Sequence, residues 1–215
     1  MKSPFVFGEP IVLSIYELKP GFQRLLRPLV AWLYRNGVTA NQVTLSACFL
    51  SLALGIFLCL PETPRAWFAA IPAWMFIRMA MNAVDGMLAR EFGQKSHLGG
   101  YLNELTDVVS DAALYLPFSL IAPFSAWWVG GVIFLALLSE FAGVVGAALG
   151  ASRRYDGPMG KSDRAFVFGA LGLGVGVTST LPAWLQWLMP LLAVALALTI
   201  FKRIRAGLNE LTPKT

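Results

Sequence analysis

The residues best suited to chemistry lie in a polar stretch from position 82 to position 111. This stretch holds five of the chain's twelve acidic residues, although hydrophobic residues make up 57% of the sequence. Asp85 is followed directly by Gly86, and Asp107 and Asp111 lie four residues apart. On a helix that spacing places both carboxylates on one face, one turn apart. Two helices that present carboxylate and amide oxygens to one point can hold divalent cations, and such cations can bind phosphate groups.

The same stretch resembles the signature of the CDP-alcohol phosphotransferases, D-x2-D-G-x2-A-R-x8-G-x3-D-x3-D. Aligned without gaps, the signature falls on Asn82, Asp85, Gly86, Ala89, Arg90, Gly99, Asn103 and Asp107. Six of these eight positions match at the family's spacing, and the two departures replace the first and third aspartates by asparagine. The resemblance implies an enzyme in which a hydroxyl attacks the β-phosphorus of a CDP-alcohol and CMP leaves.

The resemblance also implies roles for the matched residues. In the family, two divalent ions bridge the aspartates and the diphosphate, and the last aspartate is the proposed base. Asp85 would be a ligand, and Asp107 would be a ligand or the base. Gly86 would permit close approach of the nucleotide, Arg90 would bind phosphate, and Gly99 would leave room for substrate. We therefore predict Mg²⁺ or Mn²⁺ as the cofactor.

The two asparagines leave the number of metal ions open. An amide oxygen can ligate Mg²⁺ but brings no negative charge, so affinity for a second ion should fall. Asp111 is the better substitute, because Glu104 points about 100° away from Asn103 on a helix. Arg78, on the face of Asn82, is an alternative source of positive charge against phosphate. The predicted metal ligands are Asn82, Asp85, Asn103, Asp107 and Asp111, and the predicted catalytic residues are Asp107 and Asp111.

The acidic stretch allows two other interpretations. A shifted register makes Asp107 and Asp111 the final pair, but it needs a four-residue insertion and places Asn103 at the glycine position. A polar network at helix ends explains one or two acids, but it explains this spacing together with Gly86 and Arg90 poorly. The ungapped register is therefore preferred.

Further phosphate-binding candidates lie outside the signature. Asn41 and Thr44 form an Asn-x-x-Thr element that lies near the nucleotide in the family, although helix capping would also explain them. A second polar loop, 151–164, is rich in basic residues that can grip phosphates or serve only as membrane-edge charges. The predicted substrate-binding residues are Asn41, Thr44, Gly86, Ala89, Arg90, Gly99, Arg153, Lys161 and Arg164.

The composition places these motifs in a membrane protein. Only 13% of the 215 residues are charged, about half the share usual in soluble domains. Several apolar stretches approach or exceed about 18 residues, the length of a membrane-spanning helix. We predict an all-α integral membrane protein with six transmembrane helices, preceded by an N-terminal amphipathic helix in the membrane interface. The expected organisation is an interfacial segment at 1–41, a transmembrane domain at 42–205 with spans near 42–60, 66–83, 99–122, 126–150, 165–179 and 183–201, and a tail at 206–215.

The distribution of lysine and arginine predicts the orientation. Basic residues cluster in the N-terminal segment, the two polar loops and the C-terminal end, whereas Arg65 lies in a link on the opposite side. The positive-inside rule then makes both termini and the predicted site cytoplasmic, in the inner membrane. The net charge of +5 is explained by anionic lipid rather than by nucleic acid. Cys48 and Cys59 lie about 16 Å apart along one helix, too far for a disulfide.

The most specific function that the sequence supports is transfer of a phosphatidyl group from CDP-diacylglycerol, or a related CDP-alcohol, to a small alcohol. The family resemblance implies a homodimer. Arg78 and Glu140 lie inside predicted spans, where a charge needs a partner, and we expect Glu140 to pair with Arg78 or with another neighbouring helix. The alternatives are a catalytically weakened relative that binds nucleotide or lipid headgroup, and a transporter, for which the signature would be a coincidence.

Overall fold

The computed structural model describes residues 15–212, with side chains described from residue 21 onward. These residues form seven α-helices and three short 3₁₀ segments, and no β-strand occurs among them. The α-helices are α1 (Ile15–Arg35), α2 (Ala40–Cys59), α3 (Ala70–Glu91), α4 (His97–Tyr115), α5 (Ala126–Ala148), α6 (Lys161–Val177) and α7 (Leu188–Leu211). The 3₁₀ segments are Arg65–Ala69 before α3, Leu116–Leu120 after α4, and Ala183–Trp187 before α7. The predicted all-α fold is confirmed.

Four helical stretches of the described chain are long and apolar enough to cross a membrane. They are Ala40–Cys59, Arg65–Glu91, Ala126–Ala148 and Ala183–Leu211. The helix α4 carries three acidic residues within its 19 positions, and α6 has only 17 residues. Large apolar side chains such as Phe49, Phe134 and Trp127 are exposed on the outside of the bundle, as expected where lipid is the solvent. The chain is an integral membrane protein, and the count of six spans stays a prediction.

The helix α1 occupies part of the segment for which an interfacial helix is predicted, and residues 1–14 lie outside the described part. Val30 is fully buried and packs with Val84 and Leu88 of α3. Leu25 and Trp32 lie on the surface of the bundle. The helix therefore packs on protein with one face and offers apolar side chains outward with another, and its depth in the membrane stays a prediction.

Hydrogen bonds to polar side chains connect the end of α3 with the starts of α2 and α4. Thr39 Oγ1 accepts a hydrogen bond from the Gln42 backbone N–H at 3.2 Å and starts α2. Ser96 Oγ accepts from the Gly99 N–H at 3.0 Å and starts α4. Gln94, in the turn after α3, accepts from the Ala40 N–H at 2.6 Å. These bonds satisfy N–H groups that a helix start leaves unpaired, and they hold the ends of α2, α3 and α4 together.

Glycines set the distances between helices. A Cβ added at Gly55 of α2 would overlap the backbone oxygen of Ala113 in α4, and one at Gly172 of α6 would lie 2.8 Å from the backbone oxygen of Phe68. Such contacts are available only to a residue without a side chain, and small residues are how membrane helices approach closely. The glycine-rich α6 is thus a close-packed helix.

Three predicted helix boundaries are wrong. The helix α7 continues to Leu211 rather than ending near residue 201, and the buried Arg203 lies within it. The helix α3 continues to Glu91 rather than stopping near residue 83, so the signature as far as Arg90 is helical. The helix α6 begins at Lys161 rather than at 165, because Asp163 accepts a hydrogen bond from the Gly160 N–H at 2.9 Å and stabilises an earlier start. Lys161 is therefore held on a helix instead of in a loop. Lys161 forms an ion pair with Asp107, so both polar segments lie at the same end of the bundle.

Candidate active site

A cavity of about 1220 Å³ lies at this end of the bundle, among α2, α3, α4, α5, α6 and α7. Every site residue predicted from the sequence lines it. These residues are Asn41, Thr44, Asn82, Asp85, Gly86, Ala89, Arg90, Gly99, Asn103, Asp107, Asp111, Arg153, Lys161 and Arg164. The fold thus brings together positions that are up to 123 residues apart in the sequence (41 to 164). Their individual roles stay predictions.

Asp85 is a buried carboxylate on the α3 wall of the cavity. Its side-chain oxygen Oδ2 accepts a hydrogen bond from the Thr44 hydroxyl at 2.7 Å, and the residue is only 6% exposed. Within residues 21–212, no basic side chain forms an ion pair with it. A buried carboxylate without a cation is costly, so the position favours a cation from solution.

Asp107 and Asp111 of α4, unlike Asp85, form ion pairs with basic side chains. Arg78 of α3 donates to Oδ1 of both carboxylates, at 3.2 Å for Asp107. Lys161 forms an ion pair with the other oxygen of Asp107. Arg164 donates to the other oxygen of Asp111 at 3.2 Å. Both carboxylates are therefore already paired with basic side chains of the chain itself.

The inner wall of the cavity is an arginine cluster around Glu140 of α5. Arg164 donates to Glu140 at 3.0 Å, Arg203 of α7 lies 3.4 Å from it, and Arg153 lies 3.5 Å from it. Arg153 also pairs with Glu104 of α4. Glu140 was expected to pair with Arg78 or with a polar group of a neighbouring helix. Its partners are Arg153, Arg164 and Arg203, and not Arg78.

Two signature glycines make room for neighbouring polar side chains. A Cβ at Gly86 would lie 2.8 Å from a guanidinium nitrogen of Arg90, so the glycine lets Arg90 fold back over α3. A Cβ at Gly99 would lie 2.9 Å from the side-chain oxygen of Asn41. The start of α4 can therefore approach the start of α2, and the Asn-x-x-Thr element reaches the cavity.

Arg203 is one of the cavity residues that sequence reasoning missed. It is only 2% exposed and donates to the backbone oxygens of Ser139 and, at 3.3 Å, of Asp156. In the sequence it stands beside Lys202 among the charges that end the last span. One signal in the sequence could have found it: Arg203 lies at helical spacing from the apolar residues on the buried face of α7. Nearby, a hydrogen bond from Arg154 lowers the pKa of Asp156 below its ordinary value, so this loop carboxylate stays ionised.

The oxygen ligands at the site suit one divalent cation better than two. Asp85 lacks a basic partner in the described chain, and Asn82 of α3 and Asn103 of α4 line the same cavity. The oxygens of Asp111 both accept from guanidinium groups. Within residues 21–212 no group of three His, Cys, Asp or Glu side chains forms a metal cluster. A single cation beside Asp85 therefore fits the residues present, and a second one at the α4 carboxylates does not.

Comparisons with known proteins agree with this geometry. The family model for CDP-alcohol phosphatidyltransferases matches residues 37–201. The chain is 45% identical over 199 residues to the inner membrane protein YnbA of Escherichia coli strain K12, which covers 91% of this chain and 97% of YnbA. It is 33% identical over 110 residues to a phosphatidylinositol phosphate synthase of Streptomyces avermitilis, which covers 51% of this chain and 41% of that protein.

Solved structures show the same fold. The phosphatidylinositol phosphate synthase of Mycobacterium tuberculosis, in a crystal structure with CDP-DAG bound, superposes with a TM-score of 0.70 at 22% identity, covering 89% of this chain and 99% of the synthase chain. A crystal structure of the same synthase in complex with manganese and citrate gives a TM-score of 0.69 at 22% identity, covering 87% and 92%. The family match over residues 37–201 establishes that the chain belongs to the CDP-alcohol phosphatidyltransferase family.

Proposed function

We propose that this protein transfers a phosphatidyl group, or another substituted phosphoryl group, from CDP-diacylglycerol or a related CDP-alcohol to a small alcohol, with release of CMP. The observation that carries the proposal is that the signature side chains of α3 and α4 line one cavity together with basic residues from α6 and the loop before it. The cavity lies within helices whose outer faces are apolar, which suits a donor with lipid tails. The reaction would place the protein in phospholipid biosynthesis.

The proposed binding roles follow the positions of the side chains. Gly86 and Ala89 leave the α3 surface open to the nucleotide, and Arg90 binds a phosphate. Asn41 and Thr44 face the same region from α2. Gly99 keeps the mouth of the cavity clear, and the basic residues Arg153, Lys161 and Arg164 offset the charge of the diphosphate from the other side.

We propose one divalent cation, Mg²⁺ or Mn²⁺, held by Asp85 with the amide oxygens of Asn82 and Asn103. When bound, such an ion neutralises charge on the diphosphate. Asp107 and Asp111 were also predicted as ligands. Their existing ion pairs with Arg78, Lys161 and Arg164 favour other roles for them.

We propose Asp107 as the base. It is less buried than Asp111 and borders the cavity. The acceptor hydroxyl would pass its proton to this carboxylate while its oxygen forms a bond to the β-phosphorus and the bond from that phosphorus to the CMP oxygen breaks. Asp111 would hold Arg78 and Arg164 in position. A carboxylate in the position of Asp107 can remove this proton in the transition state.

The proposed setting is the inner membrane, with six spans, a homodimeric assembly, and both termini and the cavity on the cytoplasmic side. Two features support the orientation. The basic residues are concentrated at the cavity end of the bundle, as the positive-inside rule requires of a cytoplasmic end, and CDP-linked donors are made on that side. No nucleic-acid partner is proposed, because basic residues at the membrane edge facing anionic lipid explain the positive net charge.

The test is CMP release by the purified full chain in lipid nanodiscs. CDP-diacylglycerol is supplied with a panel of small polyols and their phosphates, each with Mg²⁺ or Mn²⁺. Acceptor-dependent CMP formation supports the proposal. The second candidate, a relative that binds nucleotide without turnover, is favoured by the asparagines at positions 82 and 103. Binding of CDP without CMP release over the whole panel would favour that candidate.

A further inference from the structure

Arg78 is a buried cation directly behind the cavity. It lies on α3, one turn before Asn82, and only 5% of it is exposed. Its guanidinium group donates to Asp111, to the Asp107 carboxylate at 3.2 Å and to the Asp107 backbone oxygen at 3.0 Å. A charge inside a membrane helix is costly unless it is paired, so these contacts fix its position.

Two further basic groups act on the same pair of carboxylates from other directions. Lys161 pairs with Asp107 from the cavity side, and Arg164 reaches Asp111 at 3.2 Å. Three positive groups therefore contact these two carboxylates, and one of them, Arg164, also pairs with Glu140 at 3.0 Å. A divalent cation placed against these carboxylates would meet fixed positive charges at short range, in an environment where charges are weakly screened.

Asn82 fits the same arrangement. Its amide nitrogen donates to Asp107 Oδ1 at 3.3 Å, the oxygen that also accepts from Arg78. An aspartate at position 82 would instead place a second carboxylate against Asp107, and the two would repel unless a cation lay between them. The asparagine is thus the residue type that suits a carboxylate already neutralised by a protein cation.

We propose that Arg78, assisted by Lys161, supplies the positive charge at Asp107 and Asp111 that a second divalent cation would otherwise supply, so that the chain binds a single divalent cation, beside Asp85. Arg78 acts as a positioning residue, since it touches the carboxylates and not the cavity. The proposal rests on the cation of the proposed function. It goes further by assigning the charge balance of the site to a residue outside the family signature.

The test is the number of Mn²⁺ ions bound per chain, measured by electron paramagnetic resonance on the purified full chain with CDP as a soluble probe. Arg78→Gln removes the buried charge, and Arg78→Lys keeps it. Arg65→Gln is the matched control, because Arg65 is an exposed guanidinium at the opposite end, bonded to the Ser179 backbone oxygen at 3.0 Å. Lys161→Met removes the half-exposed cation with little risk to folding.

The expected result is one Mn²⁺ per chain for the native protein, Arg78→Lys and Arg65→Gln, and a second Mn²⁺ for Arg78→Gln and, more weakly, for Lys161→Met. If Arg78→Gln does not fold, Lys161→Met decides. Two ions in the native protein would overturn the proposal, as would failure of every folded charge-removing variant to bind more Mn²⁺ than the native chain. CMP release is measured separately, so a protein without turnover that shows this ion pattern would contradict the proposed function and not the charge balance.

Discussion

Replacement of Asp107 by asparagine separates a chemical role for this carboxylate from a structural one. The amide is nearly the same size, and its oxygen can still accept the hydrogen bonds that Arg78 and Asn82 donate to Oδ1. The amide cannot take a proton from an acceptor hydroxyl, and its nitrogen cannot pair with Lys161, which contacts the other oxygen. The substitution therefore removes the proposed base and leaves most of the surrounding contacts.

The two effects differ greatly in size. A positioned base contributes about 10²–10⁴-fold to a rate, which corresponds to about 3–5 kcal/mol of transition-state stabilisation. Asp107→Asn loses two ion pairs. The pair with Lys161 is partly exposed, at 35% for the lysine and 23% for the aspartate, and pairs near solvent contribute about 0–1 kcal/mol. Arg78 can still donate to the amide oxygen, and it keeps its ion pair with buried Asp111. We therefore expect Asp107→Asn to lose about 10²–10⁴-fold in turnover while the thermal midpoint barely changes.

The assay is CMP release from CDP-diacylglycerol at saturating donor, with CDP binding and thermal unfolding measured on the same samples. Asp163→Asn is the matched control, because Asp163 also lines the cavity, and its carboxylate only accepts the Gly160 N–H. We expect the control to retain most of its turnover. An Asp107→Asn protein with native turnover would refute the assignment of the base, and one that loses folding and turnover together would show that Asp107 is structural.

Three other predictions concern stability and metal binding. Arg164→Met leaves two buried carboxylates short of a partner, so its free energy of unfolding should fall by about 3–5 kcal/mol in detergent denaturation, whereas Arg65→Gln should change it little; equal losses would contradict the pairing. Gly172→Val places a Cβ 2.8 Å from the Phe68 backbone oxygen and should lower the thermal midpoint by the equivalent of about 1–3 kcal/mol; an unchanged midpoint would mean that the helices do not pack so closely. Asp85→Asn should abolish tight Mn²⁺ binding in equilibrium dialysis, and unaltered binding would place the cation elsewhere.

The helical architecture was largely predictable, because an apolar run has to satisfy its backbone groups within itself when lipid surrounds it. The predicted end of the second span was wrong for a related reason. Asn82, Asp85 and Arg90 look like the polar residues that follow a helix, but they face an internal cavity and α3 continues through them. Hydropathy along the sequence reports polarity and does not tell solvent from a polar interior.

The residues that gather around the cavity were predictable, whereas their contacts were not. The spacing of Asp85, Gly86 and Asp107 carries the family resemblance, and every residue chosen from the sequence lines the cavity. The partners of Arg78 depend on how α3 is rotated against α4. The helical spacing of Arg203 from Leu196 and Thr199 places it on the buried face of α7, but its contacts with Ser139 and Asp156 depend on how the helices pack.

The sequence by itself determined a helical membrane protein with a phosphate-binding signature, because residue type and spacing are local properties of the chain. Only the tertiary structure decided which carboxylates are neutralised. Asp85 keeps a cavity-facing position without a basic partner in the described chain, whereas Asp107 and Asp111 are paired with Arg78, Lys161 and Arg164. The physical reason is that electrostatic pairing falls off over a few ångströms, and those distances between residues remote in sequence exist only once the helices have packed.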